Sequence, residues 1–197
     1  TVLPGDVIQV DTGYYTDGFN IGLDDAGSET SPVVIQSSPY GVTCYGRDMR
    51  LNSNYIILET AASDVHPGIA QDWAKIDGDN LTIGGDNSIV RRMRIQPPMS
   101  VGSDGIELTD NAENTLIENC IISVPGYVNL STGINIEDCS LGVTVRNTTI
   151  SGLKSGLYIE TTQDAPNSVF ENNIIVATSS GIELRDDFFS GTFNNNA

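Results

Sequence analysis

At 197 residues, with 39% hydrophobic residues and 20 glycines, the chain has the size of one domain and a composition suited to short strands joined by turns. Its 26 acidic and 9 basic residues leave a net charge of −17, which repels nucleic acid and anionic membrane surfaces and disfavours anionic polysaccharides. No apolar run approaches the roughly 18 residues of a membrane span, so the ligands left open are a neutral glycan, a cation such as calcium, another copy of the chain, or none.

Taken in chain order, residues 2 to 10 already read as strand, and the chain starts at Thr1 without a methionine. That pattern fits a mature product after removal of an export signal or a fragment of a longer solenoid, and both place the protein outside the cell or on its surface. Acidic pairs and turns follow at Asp24-Asp25, Asp77-Gly78-Asp79-Asn80 and Gly84-Gly85-Asp86-Asn87. They are the best local candidates for calcium, but none matches a loop of defined ligand spacing. Residues 60 to 79, with Pro67, Gly68, Trp73 and the single His66, are expected to form an irregular loop inserted between coils.

From Ser88 onward one two-part unit recurs. Ser88-Ile89-Val90-Arg91-Arg92, Thr115-Leu116-Ile117-Glu118-Asn119, Val143-Thr144-Val145-Arg146-Asn147 and Ser168-Val169-Phe170-Glu171-Asn172 are each followed by a segment opening on glycine, at Gly105, Gly133, Gly156 and Gly181. Both frames repeat every 23 to 28 residues, a period that marks a solenoid whose units stack to bury a common core. Apolar and polar residues alternate within each unit, so the unit is built of strands. Parallel stacking then turns each repeat position into a column. Val90, Ile117, Val145 and Phe170 form an inward column, as do Ile95, Ile122, Ile150 and Ile175. Arg91, Glu118, Arg146 and Glu171 alternate in sign, which helps to set the register. Asn119, Asn147 and Asn172 are expected to form a ladder of side-chain amides at the turn, broken at Arg92.

These columns, with the opening segments Leu3 to Val10, Gly13-Tyr14-Tyr15 and Ser31 to Gln36, resemble the right-handed parallel β-helix, or pectate-lyase-like, superfamily. The resemblance implies an all-β fold of roughly six to seven coils over one domain, residues 1 to 197. It does not fix a function, because lyases, hydrolases, adhesins and structural proteins share the fold.

No catalytic set is assembled in the sequence. A lyase needs a base such as Arg91, Arg92, Arg94 or Lys154, yet the three arginines alternate faces of a strand and Lys154 reads as a solvated turn residue. A hydrolase needs paired carboxylates about 5 to 9.5 Å apart. Ser103-Asp104-Gly105-Ile106 resembles a polygalacturonase-family segment, but the later signatures of that family are missing and Asp186-Asp187 comes too late. Tyr158 and Trp73 are the aromatic candidates for sugar binding, within an aromatic content of 7%. The outward column Glu107, Asn135, Tyr158, Glu183 is too mixed and charged for ice binding. Asn80 and Asn129 open sequons in expected turns and are candidate glycan acceptors, while Asn147, also in a sequon, is assigned to the ladder. Cys44, Cys120 and Cys139 permit at most one bridge.

No amphipathic helix precedes Pro4, and residues 188 to 197 form a short tail whose Phe188, Phe189 and Phe193 are candidates for contact with a neighbour. The sequence therefore supports a non-catalytic extracellular β-solenoid that acts as a filament, sheath, surface-layer or adhesive subunit and whose partner is itself, head-to-tail or lateral. A segment of a polysaccharide-degrading β-helix enzyme and a carbohydrate-binding module are the alternatives.

Overall fold

The computed structural model describes residues 1–45, 49–61, 74–78, 80–109, 112–126, 131–137, 142–160, 167–185 and 190–197. Its strands form three parallel sheets. Sheet A has eight strands, from Val7–Val10 to Thr192–Asn194; sheets B and C have seven each, from Gly13–Tyr15 to Ile174–Val176 and from Asn20–Ile21 to Ser180–Leu184. The chain visits A, B and C in turn, giving seven coils and the first strand of an eighth. This is the all-β solenoid expected from the repeats. The described residues hold no α-helix, only one 3-10 turn at Leu23–Asp25.

The inward columns pair in register. Val90, Ile117, Val145 and Phe170 stack on one another, continued by Leu58 above and Phe193 below. Ile95, Ile122, Ile150 and Ile175 stack in sheet B. Most of these side chains are fully buried, and each contributes about 1.5–3 kcal/mol of hydrophobic stabilisation. Because every coil leans on two neighbours, these contributions depend on stacking.

On the outer face of sheet A the alternating charges extend one coil further to Glu59, and uncharged amides continue the column at both ends. Gln9, Gln36, Glu59, Arg91, Glu118, Arg146, Glu171 and Asn194 occupy one column. Gln36 donates to Glu59 at 2.7 Å, Arg91 and Arg92 hold the same carboxylate at 2.5 and 2.6 Å, and Arg146 grips Glu118 at 2.8 and 2.9 Å. Burial pushes the Glu59 carboxyl up, but the Gln36 amide and the two guanidinium groups outweigh it and hold it below its ordinary value.

The turn after sheet A corrects the expected ladder at Asn119, Asn147 and Asn172. These residues, with Arg92 and Asn195, have φ of 51 to 56°, the left-handed region that asparagine tolerates better than most residues. Asn147 and Asn172 are exposed. Their conformation turns the chain from sheet A to sheet B and swings the following residue inward. The buried ladder is therefore one position on, at Cys120, Thr148, Asn173 and Asn196. Asn173 Oδ1 accepts from the Thr148 N–H at 3.0 Å, and its Nδ2 donates to Val145 O and Asn196 Oδ1 at 2.9 and 3.0 Å. Asn196 donates in turn to Phe170 O at 2.9 Å. Cys120 is buried, which drives its thiol up to about 12. Cys44 and Cys120 are free, and Cys139 lies outside the described residues.

Two boundaries also differ from expectation. Within the stretch 60 to 79, Thr60 closes a strand of sheet A, and Ala74–Asp77 is a regular strand of sheet B paired with both neighbours. The alternation Ala74-Lys75-Ile76-Asp77 is short enough to be hidden by the unpatterned sequence before it. His66 and Trp73 lie outside the described residues. In the tail, Thr192–Asn194 pairs with Val169–Glu171 and the Phe193 ring stacks on Phe170 at 5.0 Å, so this part continues sheet A. Phe188 and Phe189 are not among the described residues.

Candidate functional site on the outer face of sheet C

Each sheet C strand in the fourth to seventh coils carries a glycine at the same height. At Gly133 an added Cβ would lie 2.4 Å from the Ile150 side chain and 2.6 Å from Gly156 O, closer than real contacts allow. At Gly105, Gly133 and Gly156 the backbones approach too closely for any side chain. The glycine also shifts the phase of alternation: in Ser103–Leu108 both Gly105 and Ile106 are buried, and Asp104 shares the outer surface with Glu107. Strict alternation would have set Asp104 inward, in line with Ile106 and Leu108.

The result is an acidic face. Asn135, 7% exposed, donates Nδ2 to Asp104 Oδ2 at 3.0 Å and to Glu137 Oε1 at 2.8 Å. Two carboxyls bonded to one nitrogen have those oxygens no more than about 6 Å apart. Around them Glu107 accepts from Thr82 at 3.1 Å, Tyr158 donates to Glu160 at 2.6 Å, and Ser155 donates to Glu183 at 3.2 Å. Arg185 lies over the Tyr158 ring at 5.1 Å and 3.5 Å from Glu183.

Burial is the largest influence on Asp104 and pushes its carboxyl up to about 6; Glu107 and Glu137 raise it further, against the Asn135 amide and the Thr132 hydroxyl. One more group is out of balance. Asn135 Oδ1 is buried and has no hydrogen-bond partner, a condition that costs about 1–3 kcal/mol.

The basic candidates do not join this face. Arg91 points out from sheet A to Glu59, Arg94 belongs to sheet B, and Lys154 is exposed in the turn before Ser155–Glu160. Of the expected calcium turns, Asp25 accepts from the Val2 and Gly22 N–H groups, Asp86 from Glu113 N–H, and Asp77 pairs with Lys75 at 2.8 Å. Among the described residues no three His, Cys, Asp or Glu side chains converge as metal ligands. Asn80 is half-buried, with its amide 3.4 Å from both Thr82 and Glu107; Asn129 lies outside the described residues. A cavity of about 390 Å³ opens among Val10, Tyr15, Phe19, Ile35, Val42 and Cys44 in the first coils; its lining is mostly apolar, with Asp11, Asp17 and Lys75 also on it.

The sequence singled out Glu107, Asn135, Tyr158 and Glu183 as a column and Asp104 as part of a motif. Glu137 and the role of Asn135 were missed. The signal available was the repeated glycine, whose phase shift brings the column and the motif together.

A parallel β-solenoid with one acidic, glycine-registered face is the class these features define. The chain belongs to the family described as right handed beta helix region, whose model matches residues 71–197. It is similar to pectate lyase Pel9A, with a TM-score of 0.62 and 15% identity over 97% of this chain and 50% of that one. An alginate lyase from Paenibacillus sp. str. FPU-7 aligns with a TM-score of 0.52 and 15% identity over 98% of this chain and 89% of that one. The chain thus spans half the length of the pectate lyase, and likenesses at this identity show the fold. No curated protein matches the sequence. No helix among the described residues is long and apolar enough to cross a membrane.

Proposed function

We propose that the chain is the β-helix of a glycan-cleaving protein acting outside the cell, with the outer face of sheet C as its working surface. The carrying observation is the pair Asp104 and Glu137, held on the single Asn135 amide while Asp104 keeps its proton to about pH 6. Two neighbouring carboxyls in unlike environments are what glycoside hydrolysis requires. Asp104 delivers its proton to the glycosidic oxygen as the C–O bond breaks. Glu137 takes a proton from the water that attacks the anomeric carbon, or itself attacks that carbon to form a glycosyl ester that water then hydrolyses, giving its proton to Asp104. The net charge of −17 disfavours a uronate substrate, so the reading is hydrolysis of a non-anionic glycan. The printed names of the two lyases support a polysaccharide as the general target.

The test measures release of reducing ends from a panel of polysaccharides by the protein, Asp104→Asn and Glu137→Gln. Loss of at least about a hundredfold in kcat in each variant is expected for a general acid and its partner. Binding without cleavage by the unaltered protein would reduce the face to a recognition surface and overturn the catalytic reading.

A second reading, a non-catalytic subunit that assembles with itself, is favoured by the apolar end of the stack, formed by the seventh coil and the strand Thr192–Asn194. There Leu184 and Phe193 are 48% and 37% exposed, and a second copy stacked on that end would cover them.

A further inference from the structure

Asp104, Glu107, Glu137, Glu160 and Glu183 crowd one face of four adjacent coils. The basic groups of the sheet C face among the described residues are Arg50, two strands from Glu107 in the same column, and Arg185, which is shared between Glu183 and the Tyr158 ring. Acidity alone would define no ligand. The second observation is Asn135: its side chain is 7% exposed, its Nδ2 bridges two carboxyls, and its Oδ1 is a buried acceptor without a donor. The amide nitrogen stands between Asp104 and Glu137 where a better donor would bind.

We infer that sheet C recognises a cationic amino-sugar polymer, whose ammonium groups displace the Asn135 Nδ2 between Asp104 and Glu137. This rests on the reading of sheet C as the glycan-facing surface and names the class of glycan. An ammonium group brings three donors and a full positive charge. Two donors satisfy the carboxyls. Released from them, the amide rotates and presents Oδ1 to the third, which removes the unpaired acceptor. A neutral N-acetylated sugar offers one N–H and no charge. A uronate adds negative charge to an acidic face.

Calorimetric titration with a glucosamine oligomer, its N-acetylated counterpart, and an oligogalacturonate with and without calcium tests the assignment, in buffer at about pH 6.5, where the Asp104 carboxyl is largely ionised and much of the amine is still protonated. The glucosamine oligomer is expected to bind at least tenfold more tightly than the acetylated one, and less tightly as salt is raised. Asn135→Leu should weaken it about tenfold. Glu107→Gln, which leaves the bridge intact, should weaken it about two- to fivefold, and covers the case in which Asn135→Leu fails to fold. Equal binding of the acetylated oligomer would overturn the cationic class while leaving a glycan-facing surface in place. Binding only of the uronate with calcium would overturn it in favour of a metal-bridged anionic glycan. No binding of any oligomer would remove both this inference and the reading on which it rests.

Discussion

Asp104 is a buried carboxyl whose ionisation works against the stability of the fold. Its folded pKa, about 6, lies above the unfolded value of about 3.9. The folded state therefore holds more protons between those limits, and the group's contribution to stability falls as pH rises from about 4 to 6, then stays level. The groups that oppose its ionisation are Glu107 on its own strand and Glu137 on the next. Asp104→Asn is expected to match the unaltered protein in thermal melts near pH 4 and to exceed it above pH 6 by about 1 kcal/mol, after allowance for solvent screening. A variant that melts lower at both pH values would show that the carboxylate is structurally required.

The asparagines show the limit of reading single residues. Their recurrence marks the turn, and the turn is there. Which amide does the bonding is invisible in a list of residues, because the left-handed conformation of Asn172 turns it outward and brings Asn173 into the interior. A one-residue change of direction exchanges a conformational role for a hydrogen-bonding one.

At the scale of the element, the sheet C glycines are legible as a repeat, but their cause is not. Sequence shows only that a strand segment opens on each of them, whereas the structure shows backbones too close for a methyl group at Gly105, Gly133 and Gly156, with Gly156 O 2.6 Å from the position of a Cβ on Gly133. A carbonyl held in a parallel ladder cannot withdraw. Gly133→Ala should therefore cost about 1–3 kcal/mol. Gly181, with its nearest contact at 3.9 Å, should accept alanine within about 0.5 kcal/mol. Urea denaturation of the two variants measures the difference, and equal losses would refute the steric account.

At the scale of the whole molecule, stability is shared between adjacent coils, and the apolar side chains at the end of the stack are the part not covered by another coil among the described residues. If self-assembly is the second role, sedimentation velocity at micromolar concentrations should show larger species that disappear in Leu184→Glu and Phe193→Glu. A single species of constant size at every concentration would reject it.

The sequence by itself determined the solenoid, the direction of its apolar columns, the alternating charges of sheet A and the acidity of the chain, because each is a periodic property that repeats until it exceeds the noise of single residues. Tertiary structure alone decided that Ala74–Asp77 belongs to sheet B, that the amide ladder lies at Asn173, and that Asp104, Asn135 and Glu137 meet. Each of these depends on a local departure from the period: a stretch of sequence without the repeat's pattern, a positive φ, or a glycine that shifts the inward and outward faces by one residue. Such departures are set by close approach between coils, and that approach exists only once the chain has stacked.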